Sequence, residues 1–318
     1  MALKITRASD PIKVDRLNLV IYAAPGLGKT SLAFTAEKPL LLDFDNGSHR
    51  AANRKDAVVV SQWSDVAGIT AEDLAPFKTV VVDTAGRALD ALTADIIRVN
   101  PKHGRGGALT LQGYGELKAR FGAFLKFLNT FGKDVVLIAH MDEQRSGDDV
   151  VERLDVQGGS KGEIYKAADA MGRIAIVNGQ RWLRFSPTDA AFGKNPGRLE
   201  PLAIPATDSP EFDGFLARVI DTTKDRLNEL SEAQQEAMTV LAAFRTDVLN
   251  AESAADVNNL MKKAKAGGDG FKALLVKRAK EIGLTFDKAS AKFVAPKKAE
   301  AKAGAEINDD FDTETEAA

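Results

Sequence analysis

The stretch Val20-Ile21-Tyr22-Ala23-Ala24-Pro25-Gly26-Leu27-Gly28-Lys29-Thr30-Ser31 constrains this chain more than any other. The apolar run Leu17–Tyr22 has the character of a buried strand, and the apolar spacing of Ser31, Leu32, Ala33 and Phe34 predicts a helix. A Gly/Pro-rich turn between strand and helix, closed by Lys-Thr, is the context of a phosphate-binding P-loop. The backbone N–H groups of residues 24–30 are expected to form an anion-binding nest. Ala24, Pro25, Gly26, Leu27, Gly28, Lys29, Thr30 and Ser31 are the expected nucleotide contacts. Lys29 reaches the outer phosphates, and the Thr30 hydroxyl ligates Mg²⁺. Ala23 stands where the first glycine of such loops is usual.

Composition narrows the setting. The chain has 318 residues, 44% of them hydrophobic and 28% charged, enough for a large core and a smaller second unit. A formal net charge of −2 gives no global basic field, so any nucleic-acid surface must be a local patch. With no cysteine, disulfides and thiolate metal sites are excluded, and a reducing cytoplasmic setting is expected. The histidines at 49, 103 and 140 are too scattered to suggest zinc. Neither a signal-peptide core nor a membrane span is expected.

Strand and helix candidates alternate along the first two-thirds of the chain. Strands are predicted at Leu17–Tyr22, Leu40–Phe44, Ala57–Val60, Thr79–Asp83 and Val135–His140, with helices over 29–37, 86–99 and 114–131. Continuous runs such as Val80-Val81-Val82 predict parallel strands buried on both faces. Met171–Val177 and Arg181–Phe185 flank Asn178-Gly179, a hairpin signal that predicts an antiparallel extension of the sheet. The expected class is therefore α/β. A core over 1–222 is followed by a helical module over 223–285, a Lys/Ala-rich linker from 286, and an acidic tail at 305–318 too polar to build a core.

Other motifs refine the nucleotide chemistry. Thr79–Asp83 reads as a Walker-B strand whose terminal Asp83 supports Mg²⁺. In Asp43-Phe44-Asp45-Asn46-Gly47, at the end of another strand, Asp45 is placed to orient an attacking water; Asp43 could take that role or hold the loop. His140, ending the strand Val135–His140, is a candidate sensor of the terminal phosphate. Asp83-Thr84-Ala85-Gly86-Arg87 also matches the DxxG switch of GTPases, but no guanine-reading [NT]KxD follows the strand ending at His140.

Together, Ala23–Thr30, Leu41–Gly47, Val80–Thr84 and Leu137–His140 resemble the phage-encoded RecA-like nucleotide-binding proteins. That group has RecA/RadA-type, AAA-type P-loop cores and includes single-strand annealing and recombination ATPases. The resemblance covers about residues 15–205, with support from Leu111–Leu117 and Tyr165–Asp169. It implies a RecA-like core, Mg-ATP as cofactor and ATPase activity stimulated by single-stranded DNA. It also implies a homo-oligomeric ring or filament with a basic finger in trans, for which Arg184 and Lys194 are candidates. Two basic loops, with Arg98, Lys102, His103, Arg105 and Tyr114 in 98–115 and Arg145, Arg153 and Lys161 in 142–163, then become candidate DNA contacts. The lysines of the C-terminal helices are weaker ones, and the acidic tail is a candidate dock for a replication or recombination protein. The alternatives are a non-catalytic DNA-annealing protein with structural nucleotide, or a GTPase-like switch.

Overall fold

Runs such as Val80–Val82 and Val135–Ile138 have no polar face to offer water, so they must lie between two apolar layers. The computed structural model, which describes Asp10 and residues 12–146, 149–157 and 159–295, shows how this is met. In chain order the elements are β1 (Asn18–Ala23), α1 (Lys29–Ala33), β2 (Pro39–Asp43), β3 (Ala57–Val59), α2 (Ser64–Ala67), β4 (Thr79–Asp83) and α3 (Ala85–Val99). There follow β5 (Gly104–Arg105), β6 (Ala108–Leu109), α4 (Leu111–Thr130), β7 (Asp134–Ser146), β8 (Asp149–Leu154) and α5 (Ser160–Ala167). Then come β9 (Ala170–Val177), β10 (Gln180–Arg184), β11 (Leu202–Ala203) and α6 (Phe215–Leu249). The last elements are α7 (Ala254–Gly267), α8 (Asp269–Glu281), β12 (Thr285–Asp287) and β13 (Lys292–Val294).

The central sheet has the order β11-β10-β9-β1-β7-β4-β2-β3. Strands β9 through β3 are mutually parallel, and β10 and β11 extend the sheet antiparallel across the Asn178-Gly179 turn. This is the α/β class expected of a RecA-like P-loop core. Alternate side chains divide between two cores. Val20, Leu42, Val80, Val82 and Leu137 pack with Leu89, Leu92, Phe121 and Phe124 of α3 and α4. Leu19, Ile21, Leu41, Val81 and Ile138 pack on the other face with Leu32 and Phe34 and with Leu216 and Ile220 of α6.

Two segments read from the sequence as loops of the core are ordered differently. The expected glycine-rich loop over 142–163 is largely a hairpin: β7 runs past His140 to Ser146 and pairs with β8, Met141 opposite Leu154 and Asp142 opposite Arg153. The β-branched Val150 and Val151 favour this extension. Residues 98–115 are no open loop either. They comprise the end of α3, a short turn, the β5–β6 hairpin and the start of α4.

The chain divides into two compact units, one spanning Lys13–Glu229 and the other holding Asp10, Ile12 and the described residues from Leu230. Within the latter, Phe244, Val248, Val257, Leu260, Leu275 and Leu284 form a separate core. The N-terminus of α7 is closed by a capping box between Ser253 and Asp256. Residues 285–294, read from the sequence mostly as the start of a linker, form the β12–β13 hairpin and bury Phe293 in that core. The linker from 296 onward and the acidic tail at 305–318 lie outside the described residues. Among the described residues, no helix is long and apolar enough to cross a membrane.

At the base of the sheet, the buried carboxylate of Asp134 accepts from the Leu17 N–H at 2.8 Å and from Lys224 Nζ at 2.7 Å. Asp134→Ala removes both acceptors and leaves an ammonium without its counter-ion, so we expect a loss of about 3–5 kcal/mol in urea unfolding. A loss below about 1 kcal/mol, the range of exposed pairs, would show that this contact does not hold the sheet.

Candidate nucleotide-binding site

The parallel register brings four strand ends together. Ala23 at the end of β1 lies beside His140 of β7, and Asp83 at the end of β4 lies beside Ile138 of β7 and Asp43 of β2. Open α/β sheets bind ligands beyond such carboxyl ends. Here the loop after β1 folds over them. Gly26 and Gly28 both take φ +79°, the left-handed region that glycine enters without steric cost.

Lys29 folds back beneath the loop, donating from Nζ to Ala23 O at 3.2 Å and Ala24 O at 3.0 Å, with His140 Nδ1 at 3.3 Å. Its side chain is buried, which lowers its pKa against the opposing pull of Asp83 and Asp45. The Thr30 hydroxyl donates to Asp83 Oδ2 at 2.6 Å. Burial pushes the Asp83 carboxyl up to about 6, although the Thr30 hydrogen bond and Lys29 favour its ionised form. Above these groups opens a cleft of about 520 Å³, lined also by Asp45, Gly47, Arg50, Thr84 and His140. That volume is in the range of small-molecule sites. A hydroxyl and a carboxylate at hydrogen-bond distance form a hard oxygen pair that fits Mg²⁺.

The two carboxylates of the Asp-Phe-Asp turn have different surroundings. Asp43 is fully buried and accepts from the backbone N–H of Gly47 at 3.1 Å and Ser48 at 2.9 Å, so it holds the turn. Asp45 faces the cleft, its own N–H donating to Asp83 O at 3.1 Å. Its carboxylate lies 3.4 Å from Arg87 Nε and 3.8 Å from Arg50 Nη2. His140 is half-buried; burial first, and then Lys29, lower its pKa, leaving a neutral imidazole at neutral pH.

Three arginines at this site were not among the sequence candidates: Arg50, Arg87 and Arg181. Arg181 comes from β10 and donates to Leu27 O at 3.3 Å and Pro205 O at 3.0 Å. A Cβ at Gly28 would meet its Nη1 at 2.6 Å, so the guanidinium lies directly against the P-loop. Arg181 is 154 positions from Leu27, and no local pattern signals that contact. For Arg87 a signal existed, since it ends the DxxG-like run; Arg50 follows the Asp-Phe-Asp turn closely.

The candidates for a trans finger do not line the cleft. Lys194 donates to Tyr165 O at 2.6 Å and Ala168 O at 2.7 Å, satisfying carbonyls at the end of α5, so its ammonium is committed within its own chain. Arg184 is half-buried and pairs across the sheet with Arg173. Of the DNA candidates, Arg98 is tied to Asp95 at 2.6 Å and His103 lies 2.7 Å from Glu116. The Arg153 guanidinium sits 4.3 Å from the centre of the Phe192 ring. Lys161 is half-buried on α5, whereas Lys102, Arg105, Tyr114 and Arg145 are exposed. In the C-terminal helices, Lys263 pairs with Asp247 and Lys272 with Asp269.

A family model described as an AAA domain, AAA_24, matches residues 15–196. No curated protein sequence matches the chain. Among solved structures, an ATPase from the type III secretion system of pathogenic bacteria is similar over 50% of this chain and 51% of its own, at 12% identity and a TM-score of 0.32. This chain thus spans about half the length of that ATPase. A KaiC-like protein from the hyperthermophilic archaeon Pyrococcus horikoshii is similar over 62% of this chain and 99% of its own, at 11% identity and a TM-score of 0.32.

The raised pKa of Asp83 makes stability fall as pH rises from about 4 to 6, because the folded state holds the proton longer than the unfolded chain. Above pH 6 the ionised, buried carboxylate costs up to about 3 kcal/mol. Asp83→Asn should therefore stabilise the nucleotide-free protein by about that much at pH 8 and about half as much at pH 5. Thermal unfolding at the two pH values measures this. A gain independent of pH would refute the assignment.

Proposed function

We propose, for a chain that belongs to the AAA-domain family matched over residues 15–196, that it binds and hydrolyses Mg-ATP at the ends of β1, β2, β4 and β7 and uses the cycle to handle single-stranded DNA. The observation that carries the ATP reading is the convergence of Lys29, Thr30–Asp83 and Asp45 on one cleft. Thr30 and Asp83 would hold Mg²⁺, which when bound neutralises charge on the outer phosphates. Lys29 supplies a buried positive charge beneath the loop, where its interaction with phosphate is little screened. Asp45 accepts a hydrogen bond from the attacking water and orients it. Its carboxylate is one methylene shorter than a glutamate and is engaged by two arginines, which fits slow turnover. ATP is favoured over GTP because Met141–Glu143, which a guanine-reading loop would have to occupy, continue as strand β7.

The DNA reading rests on the β7–β8 hairpin. It rises directly from His140, the residue nearest Lys29 on that strand, and carries the exposed Arg145. A change at the terminal phosphate thus has a short covalent path into the hairpin. Lys102, Arg105 and Tyr114 form a second, separate set of exposed contacts. In this reading the chain works as a homo-oligomer in annealing or strand exchange.

Steady-state ATP turnover with and without single-stranded DNA tests both parts. Lys29→Ala should lower turnover by about 10²–10³-fold, the scale of losing one preorganised charge. Arg145→Ala should weaken DNA binding about equally for all sequences and reduce the salt slope by about one. If Lys29→Ala leaves turnover unchanged, the ATPase reading fails. If turnover and binding both ignore DNA, the DNA reading fails.

A further inference from the structure

Two guanidinium groups of the same chain bracket Asp45, and one of them, Arg87, stands where folding disfavours a cation. Arg87 lies in the first turn of α3, where the helix dipole disfavours positive charge and no acidic residue offsets it within the turn. Its Nε is 3.4 Å from Asp45 Oδ1, and its Nη1 is 3.1 Å from Asp90. Arg50 ends a three-residue 3₁₀ turn and reaches back across Gly47 towards Asp45. A Cβ at Gly47 would stand 2.7 Å from Arg50 Nη2 and 3.3 Å from Asp45 Oδ2. The φ of Gly47, −108°, is open to any residue, so what glycine supplies here is space for the guanidinium. Both arginines are largely exposed, at 60% and 67%. Arg50 lines the nucleotide cleft, and Arg87 lines an adjoining pocket of about 300 Å³ that shares Thr84 and His140 with it.

We propose that Arg50 and Arg87 are ligands for the terminal phosphate supplied by the chain itself, and that Asp45 is their resident counter-anion when no triphosphate is present. The inference rests on reading the cleft as an ATP site and adds the means by which it tells ATP from ADP. Exposed ion pairs at 3.4 and 3.8 Å are weak and exchange readily. A terminal phosphate offers more negative charge and more acceptor oxygens, and it forms shorter charge-assisted bonds to guanidinium groups. It therefore displaces Asp45 from both arginines. The released carboxylate is then free to accept from the attacking water. A diphosphate has no group at that position and leaves both pairs in place.

Calorimetric binding of ATPγS and ADP to the full chain tests this, with folding of each variant checked by thermal unfolding. Arg50→Gln/Arg87→Gln should weaken ATPγS at least tenfold and change ADP affinity less than twofold. Asp45→Asn, which removes the competing anion, should tighten ATPγS severalfold and leave ADP unchanged. Equal losses for the two nucleotides in the double variant, or weaker ATPγS binding by Asp45→Asn, would overturn the proposal while leaving the ATP site in place. A wild-type chain that binds neither nucleotide would overturn the ATP reading and this one with it.

Discussion

The 2.6 Å hydrogen bond from Thr30 to the buried carboxylate of Asp83 ties the P-loop to strand β4, and the rest of the site is arranged around it. Thr30 lies in α1, which follows β1, and Asp83 ends β4; these two strands are not neighbours, because β7 lies between them. The bond therefore requires the loop after β1 to arch across the end of β7, which brings Lys29 against His140. An acid as buried as Asp83 is costly to ionise alone. The Thr30 hydroxyl and the Lys29 ammonium supply its compensation, and the same charges suit a metal-bound phosphate.

The two sides of the cleft differ in character. On the P-loop side, contacts are buried and specific: Lys29 is held by two carbonyls, and Arg181 braces the loop from β10. On the Asp45 side, the partners are exposed arginines at ion-pair rather than hydrogen-bond distance. The first side is preorganised to hold phosphate. The second can change partners without disturbing the core. Beyond it, Asp155 N–H donates to His140 O at 2.9 Å, so the far end of β8 is tied back to the site and the hairpin closes on its own base.

Much of the core was legible in the sequence because its signals are local. Runs of β-branched residues marked the parallel strands, Asn178-Gly179 marked the turn between β9 and β10, and Gly26-x-Gly28-Lys29-Thr30 marked the phosphate loop. The readings that changed depended on partners distant in the chain. Residues 142–163 looked like a loop because their glycines and charges hide the pairing of Gln144 with Val151 and Arg145 with Val150. Lys194 looked like a free cation, yet it caps carbonyls 26 and 29 residues earlier. The ion pairs of Arg98 with Asp95 and of His103 with Glu116 likewise join residues of α3 and α4 and of the turn between them.

By itself the sequence determined the residue types that chemistry at phosphate requires, and the strand ends on which they sit, because both follow from spacing along a single segment. Which aspartate holds the turn and which faces the cleft was decided only by tertiary structure. Asp43 and Asp45 are two positions apart on the chain, but one finds backbone donors and no solvent, and the other finds solvent and two guanidinium groups. The placement of Arg181, Arg87 and Arg50 was decided in the same way. A side chain's charge is written in the sequence, whereas the partner that neutralises it depends on which strands the fold sets side by side.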